Sequence, residues 1–434
     1  MRPLERTVTN EANRVYRDRA HAELTQSIIP FWWRTLDHKR GGVFNCWNNA
    51  GTQLESRDKF TWSQGRFAWL CARWADAARR GIIEGNADEF LAHAEKTVRF
   101  LQEHAFLADG RCAFLLSEEG VVKEASSGAG VAPSIYADCF VMMGFAEFAR
   151  VSGKREVFEA AWNLFKSIER RIAAGGYPTF PETVPAGYSA HAIAMIRLNL
   201  TLVLYDGSAG LRDVRCDELR ERNIGAAQGI FDRFLQLDGR IAEMVPISSA
   251  DAGTMLSRHM NPGHALEGLW MLLTVAKREG RREWIDRAND AVRFNLTRAW
   301  DDEHGGLLHY VDCDGGPPAG EAGTSDYESA VRRTWDTKLW WVHSEALYTA
   351  ALSASTVGSA AAWSDFERVW QYTFDTFPHP DPRVGEWIQI RDRRGAPLDR
   401  VVALPVKDPY HIARNLLQVL ELFSHASRQG ACVL

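Results

Sequence analysis

The sequence predicts an all-α chain closed into a toroid of six helical hairpins, an (α/α)6 barrel, with short β-hairpins at one mouth. Two observations carry this. Short segments that open on glycine and continue with aromatic or apolar residues recur along the chain. With Gly42, Gly110, Gly176, Gly239, Gly306 and Gly385 as markers, the spacings are 68, 66, 63, 67 and 79 residues. Glycine before a short alternating run reads as a turn entering a hairpin. Between consecutive markers lie two stretches of helical period. Phe67, Leu70, Cys71, Trp74 and Ala75 form one, and Phe90, Ala94, Val98 and Leu101 the next. Phe140, Gly144, Phe145 and Phe148, then Phe158, Trp162, Phe165 and Ile168, repeat the theme. Self-similarity at a fixed period is a property of a whole fold. One domain over 1–426 is therefore expected, with 427–434 as a C-terminal tail, although 434 residues alone would allow about three domains.

Ala12, Val15, Tyr16 and Arg19 run into Leu24, Ile28 and Ile29, so residues 1–20 read as an N-terminal helix. The spacing of 79 marks an insertion, and the loop from Gly315 to Gly323, rich in Gly and Pro, is the candidate for it.

Composition narrows the function. A hydrophobic fraction of 46% and a charged fraction of 25% are those of an ordinary globular protein. A net charge of -5 without a basic block speaks against a nucleic-acid partner. No apolar run approaches the roughly 20 residues of a membrane span, and the N-terminus lacks the apolar core of a signal peptide. The seven cysteines are scattered singly with no CxxC pair, so neither a disulfide framework nor a zinc site is indicated. These features point to a reduced, cytoplasmic setting. Sixteen tryptophans and 21 phenylalanines are a large aromatic inventory, most of it for the core, and the excess adds weight to a sugar ligand, since aromatic faces suit carbohydrate rings.

Two helix starts carry the chemistry. Asn261 can cap a helix whose first position is Pro262, and Leu266, Leu269, Trp270 and Leu273 continue it. His264 then sits in the first turn, with Glu267 three residues on along the same face. The positive end of the helix dipole opposes protonation there, so a neutral imidazole, suited to a general base, is expected. Pro409 opens a second such helix, with His411 in its first turn, Arg414 on the same face, and Ile412, Leu416, Leu420 and Phe423 as its apolar stripe. In an αα toroid the inner helices point the same way, so their first turns gather at one mouth and the two histidines become an acid/base pair. Lys59, Trp62 and Arg66 share one face of another helix start; Lys338, Trp341 and Glu345 share one face of a fourth. Charges so close to tryptophan are costly to bury unless paired, so they are ion pairs or ligand contacts. Tyr136 is placed either on the same cavity or in the core. His191 and His259 have no distinctive spacing and read as structural. The candidate ligands show no metal spacing, and no Walker-type loop is present.

At these motifs the chain resembles the N-acylglucosamine 2-epimerase superfamily, which includes cellobiose 2-epimerases and mannose and sulfoquinovose aldose–ketose isomerases. The blocks Lys59-x-x-Trp62-x-Gln64-x-Arg66, Pro262-Gly263-His264-x-x-Glu267, Trp340-Trp341-x-x-x-Glu345, Gly385-Glu386-Trp387 and Lys407-Asp408-Pro409-Tyr410-His411 occur in the family's order. The family fold is an (α/α)6 barrel, in agreement with the repeat. The resemblance implies catalysis by His264, His411, Arg66 and Glu345, with Lys59, Trp62, Gln64, Tyr136, Glu267, Trp341 and Lys407 binding substrate. It implies no required cofactor, a nucleotide such as ATP as an effector in some relatives, and a homodimer. Met195 stands where members acting on disaccharides or unmodified aldoses carry a third histidine, which is closer to the N-acylglucosamine 2-epimerase branch. Val406 stands where many members place an aromatic.

The chemistry implied is proton exchange at C2 of an open-chain sugar such as N-acetylglucosamine or N-acetylmannosamine. One histidine removes the C2 proton to give an enediolate, and the other returns a proton to the opposite face. Arg66 would stabilise the developing oxyanion, and Glu345 and Glu267 would orient and tune the histidines. Return of the proton to C1 gives a ketose, so an aldose–ketose isomerase is the alternative. A toroidal glycoside hydrolase, drawing two carboxylates about 5–10 Å apart from Glu267, Glu345 and Asp138, and a non-catalytic partner-binding protein are the other readings.

Overall fold

Burial sorts the helices into two concentric sets. The computed structural model describes residues 10–248, 253–402 and 404–430. In chain order its helices are α1 (Asn10–Ala22), which continues through a π-helical turn (Glu23–Ile28) into α2 (Ile29–Trp33), α3 (Thr61–Arg79), α4 (Ala87–His104), α5 (Ile135–Ser152), α6 (Arg155–Ala173), α7 (His191–Leu211) and α8 (Cys216–Arg233). A short α9 (Met255–Arg258) precedes α10 (Pro262–Arg278) and α11 (Arg282–Ala299). Then come α12 (Asp326–Thr334), α13 (Trp340–Val357), α14 (Ala360–Thr376) and α15 (Tyr410–Gly430). Helices α3, α5, α7, α10 and α13 bury residues nearly all round, as a helix inside a core must, whereas α4, α6, α11 and α14 bury one stripe.

The inner set packs in sequence, α3 on α5, α5 on α7, α7 on α10, α10 on α13 and α13 on α15, and α15 returns to α3 to close the ring. The outer partner of α15 is α1, from the other end of the chain. Where α3 crosses α5 the backbones touch: a Cβ on Gly144 would lie 2.5 Å from the Gly65 carbonyl oxygen, so both positions require glycine.

Two-residue and three-residue antiparallel ladders tie the residues before an inner helix to the loop after its outer partner. Lys59–Phe60 pairs with Leu115–Leu116, Tyr188–Ala190 with Met244–Pro246, His259–Met260 with Val311–Asp312, and Lys338–Leu339 with Ile390–Arg391. The marker glycines lie in the turns after the outer helices, and Gly42, Gly110, Gly239, Gly306 and Gly385 have positive φ. Gly176 does not; its neighbour Gly175 takes the left-handed conformation.

The longest spacing holds more than the predicted loop. Between Gly306 and α13 the chain also forms α12, started by a capping box in which Ser325 and Glu328 bond each other's backbone. At the C-terminus, α15 runs to Gly430, so the tail expected from 427 begins inside a helix; residues 431–434 lie outside the described residues, as do residues 1–9 of the expected N-terminal helix. No helix among the described residues is long and apolar enough to cross a membrane.

The start of α3 is fastened by a buried cation. Lys59 Nζ donates to Asp37 Oδ2 at 2.8 Å and to the Gly41 carbonyl at 2.9 Å, and both side chains are buried. Lys338, before α13, does the same with Asp301 Oδ2 at 3.1 Å and the Gly305 carbonyl. Removing one partner of a buried pair leaves the other charge uncompensated. Lys59→Met is expected to lower the unfolding free energy by about 3–5 kcal/mol, read by urea denaturation; a change below 1 kcal/mol would show that the pair does not anchor the helix.

Candidate active site

A cavity of about 270 Å³ opens at the mouth where the inner helices begin. All six contribute: Trp62 and Arg66 from α3, Tyr136 and Phe140 from α5, Met195 and Asn199 from α7, His264 and Glu267 from α10, Trp341 from α13 and His411 from α15. Each helix presents its N-terminal turn, and unpaired backbone N–H groups with the positive end of the helix dipole favour an anion there.

His411 is held from behind. Its Nδ1 lies 2.6 Å from Glu345 Oε1. A carboxylate only accepts, so Nδ1 carries the proton, and Nε2 with its lone pair is left for the cavity. Glu345 is itself fully buried and fixed by Asn415 Nδ2 (2.8 Å), Trp270 Nε1 (3.0 Å) and the Arg414 guanidinium. Burial pushes the His411 imidazole down to about 3; Glu267 opposes the shift and the Arg66 and Arg414 charges add to it. His411 is neutral, as a general base must be.

His264 is built on the same plan with the opposite electrostatics. Asn261 Oδ1 accepts from the His264 backbone N–H, and Pro262 opens the helix, as the sequence predicts. The ring's Nδ1 lies 2.9 Å from Glu243 Oε1. Burial would lower its pKa, but the Glu243 carboxylate outweighs burial and raises it. A directly bonded carboxylate thus works against the neutral imidazole expected at a helix end and shifts His264 toward its protonated form. The charge on His264 in turn holds the Glu243 carboxyl below its usual range despite burial. Glu243 is placed by the ladder of Tyr188–Ala190 with Met244–Pro246, which continues as a bond from His191 N–H to the Glu243 carbonyl at 2.8 Å. Trp341 lies between the two histidines, its ring centroid 5.3 Å from that of His264 and 5.8 Å from that of His411.

Arg66 reaches the cavity stacked over Phe140 at 3.9 Å, and its Nη1 donates to Asp408 Oδ2 at 2.8 Å. Glu267, expected to orient and tune the histidines, accepts from Arg414 Nη2 at 3.0 Å, and its charge favours the protonated form of both His264 and His411. Glu267, Glu345 and His411 also form a set close enough to ligate a metal, with ligand atoms within 4.8 Å of one another. The Arg414 guanidinium already supplies positive charge to both carboxylates there.

Of the residues expected to touch substrate, Trp62, Tyr136, Glu267 and Trp341 line the cavity. Lys59, Gln64 and Lys407 do not. Lys59 is spent on Asp37; Gln64 bonds both the N–H and the carbonyl of Val43 at 2.8 and 3.0 Å. Lys407 Nζ donates to the carbonyls of Asn49 and Trp387, each at 2.7 Å, and faces Glu386 at 3.0 Å. Each ties a loop to a helix start. Among wall residues the sequence reading passes over are Phe180, Glu182, Glu243, His309, Tyr310, Tyr327 and Asp408. A signal for three of these exists: Phe180, Glu243 and Tyr310 each stand four residues after a marker glycine. His259 and His191 are buried supports, the first holding the Tyr327 hydroxyl at 2.9 Å and the second 4.0 Å from Glu243.

A profile of the family described as N-acylglucosamine 2-epimerase (GlcNAc 2-epimerase) matches residues 42–414. The N-acylglucosamine 2-epimerase of Bos taurus is 30% identical over 425 residues, covering 96% of this chain and 93% of that protein. The solved cellobiose 2-epimerase of Bacillus thermoamylovorans B4167 superposes with a TM-score of 0.73 at 19% identity, covering 94% of this chain and 99% of that one. A solved D-mannose isomerase does so with a TM-score of 0.69 at 17% identity, covering 97% and 99%. The chain belongs to the N-acylglucosamine 2-epimerase family, and is an enzyme of its carbohydrate epimerase and isomerase kind.

Proposed function

We propose that the protein interconverts C2 epimers of a sugar such as N-acetylglucosamine and N-acetylmannosamine. The observation that supports this best is the pair of carboxylate-bound histidines on one cavity, with pKa values shifted in opposite directions. Neutral His411 takes the C2 proton of the open-chain sugar through Nε2. Protonated His264 delivers a proton to C2 from the other side. The enediolate between these steps is anionic, and Arg66 together with the converging helix N-termini stabilises it. Proton exchange next to a carbonyl needs no cofactor, and residues 1–426 act in this reading as one catalytic domain. Met195 and the apolar wall beside it favour an N-acylated sugar over a disaccharide.

Proton NMR in D2O tests the reading with N-acetylmannosamine, mannose, glucose and cellobiose offered separately. Deuterium at C2 of N-acetylmannosamine with its 2-epimer appearing is the expected result. A ketose from mannose would assign an aldose–ketose isomerase using the same residues; hydrolysis of cellobiose without exchange would remove the histidines from the chemistry. His264→Ala and His411→Ala should each slow exchange by about 100-fold or more.

The pH profile checks the roles. His264 has a raised pKa, so its proton is lost only as pH rises through that raised value, and kcat/KM should fall there. Glu243→Gln removes the charge that raises it, so the alkaline limb should move to lower pH. A limb that stays in place would mean that another group delivers the proton.

A further inference from the structure

Building on the proposed C2 chemistry, we infer that Glu182 is a further catalytic residue, which opens the pyranose ring before the histidines act. The C2 proton becomes acidic only beside a free C1 carbonyl, and aldoses in water are closed rings. Something must break the C1–O5 bond, and neither histidine is needed for that.

Glu182 lies on the cavity wall in the segment between α6 and α7. The other carboxylates that line the cavity are paired: Glu243 with His264, Glu267 with Arg414 and Asp408 with Arg66. No hydrogen bond or ion pair among the described residues holds Glu182. The charges that act on it are His264, which lowers its pKa, Glu243, which raises it, and Arg333, which lowers it. Burial outweighs them and pushes the carboxyl up to about 7, so the acid form is populated at neutral pH.

A carboxyl group is suited to the step by its shape. O1 and O5 sit on one carbon, spaced much like the two oxygens of a carboxyl. Protonated Glu182 gives its proton to O5 from one oxygen and takes the O1 proton on the other. The O1–H electron pair becomes the C1=O1 π bond, and the C1–O5 pair stays on O5 as a hydroxyl. The carboxyl ends as it began, so no further reactant is required.

Exchange NMR between the α and β anomers of N-acetylmannosamine measures the step directly, and C2 deuteration of D-glyceraldehyde, which cannot close a pyranose, measures the histidines without it. Wild type should accelerate anomer exchange. Glu182→Gln, near-isosteric and unable to donate the proton, should lose that acceleration and lower kcat on the pyranose by about 100-fold, with a much smaller loss on glyceraldehyde. Equal losses on both, or unchanged anomer exchange, would overturn the role. A residue that only binds hydroxyls would shift KM and not kcat. Where the variant fails to fold, the wild-type pH profile decides: anomer exchange should fall as pH rises above about 7, and a flat profile from pH 6 to 8 would overturn the proposal. Anomer exchange without C2 deuteration would refute the epimerase reading alone, and C2 deuteration with unassisted anomer exchange would refute Glu182 alone.

Discussion

The site depends on where six helices begin, and three of those beginnings are set by a lysine buried against a carboxylate. Lys59, Lys338 and Lys407 each precede an inner helix and bond both an acidic side chain and loop carbonyls. A charge with no water must find partners, and this one finds them only with the glycine turn and the helix start in register. The pattern repeats beyond the lysine. Five residues on, Gln64 bonds the backbone of Val43, and His343 Nε2 accepts from the Leu307 N–H at 2.9 Å, each just past a marker glycine. Three residues on stand Trp62 and Trp341, and seven on stand Arg66 and Glu345. The same scaffold thus aims an arginine into the cavity in one unit and sets a carboxylate behind His411 in another.

Two histidines on equivalent helix turns have pKa values shifted in opposite directions because of what surrounds them. Glu345 bonds Arg414, Asn415 and Trp270 as well as His411, and burial together with the Arg66 and Arg414 charges lowers the imidazole's pKa. Glu243 is buried with one oxygen on His264, and His264 is the first of the histidines that hold its carboxyl below the usual range. Opposite pKa shifts are thereby produced on one residue type.

The fold was legible because its signals are local and repeated: a turn glycine, two amphipathic stretches, and the next turn. His264, His411 and Arg66 were legible for the same reason, since a capped or proline-opened helix start announces itself within a few residues. Glu243, His309 and Tyr310 enter the site from loops that follow outer helices, and nothing in linear spacing says which loop lies against which helix start. Lys59 and Lys407 were misplaced because a charge among aromatic residues reads the same whether a carboxylate or a substrate answers it. The helix dipole at His264 is legible from its own turn, but the carboxylate that raises its pKa lies 21 residues away in another unit.

The commitment of the carboxylates also separates this cavity from that of a toroidal glycosidase. Such an enzyme needs one carboxyl protonated as acid and a second ionised as base or nucleophile, facing each other across the substrate. Here Glu345 lies behind His411 and does not line the cavity, and Asp138 is buried against Arg171 at 2.9 Å. Glu267, Glu243 and Asp408 are bound to cations that hold them in place and draw their charge inward. Glu182 is the one cavity carboxyl among the described residues without such a partner, and one is half of what hydrolysis requires. A single acid beside two imidazoles is the equipment for moving protons on a sugar whose glycosidic bonds are left intact.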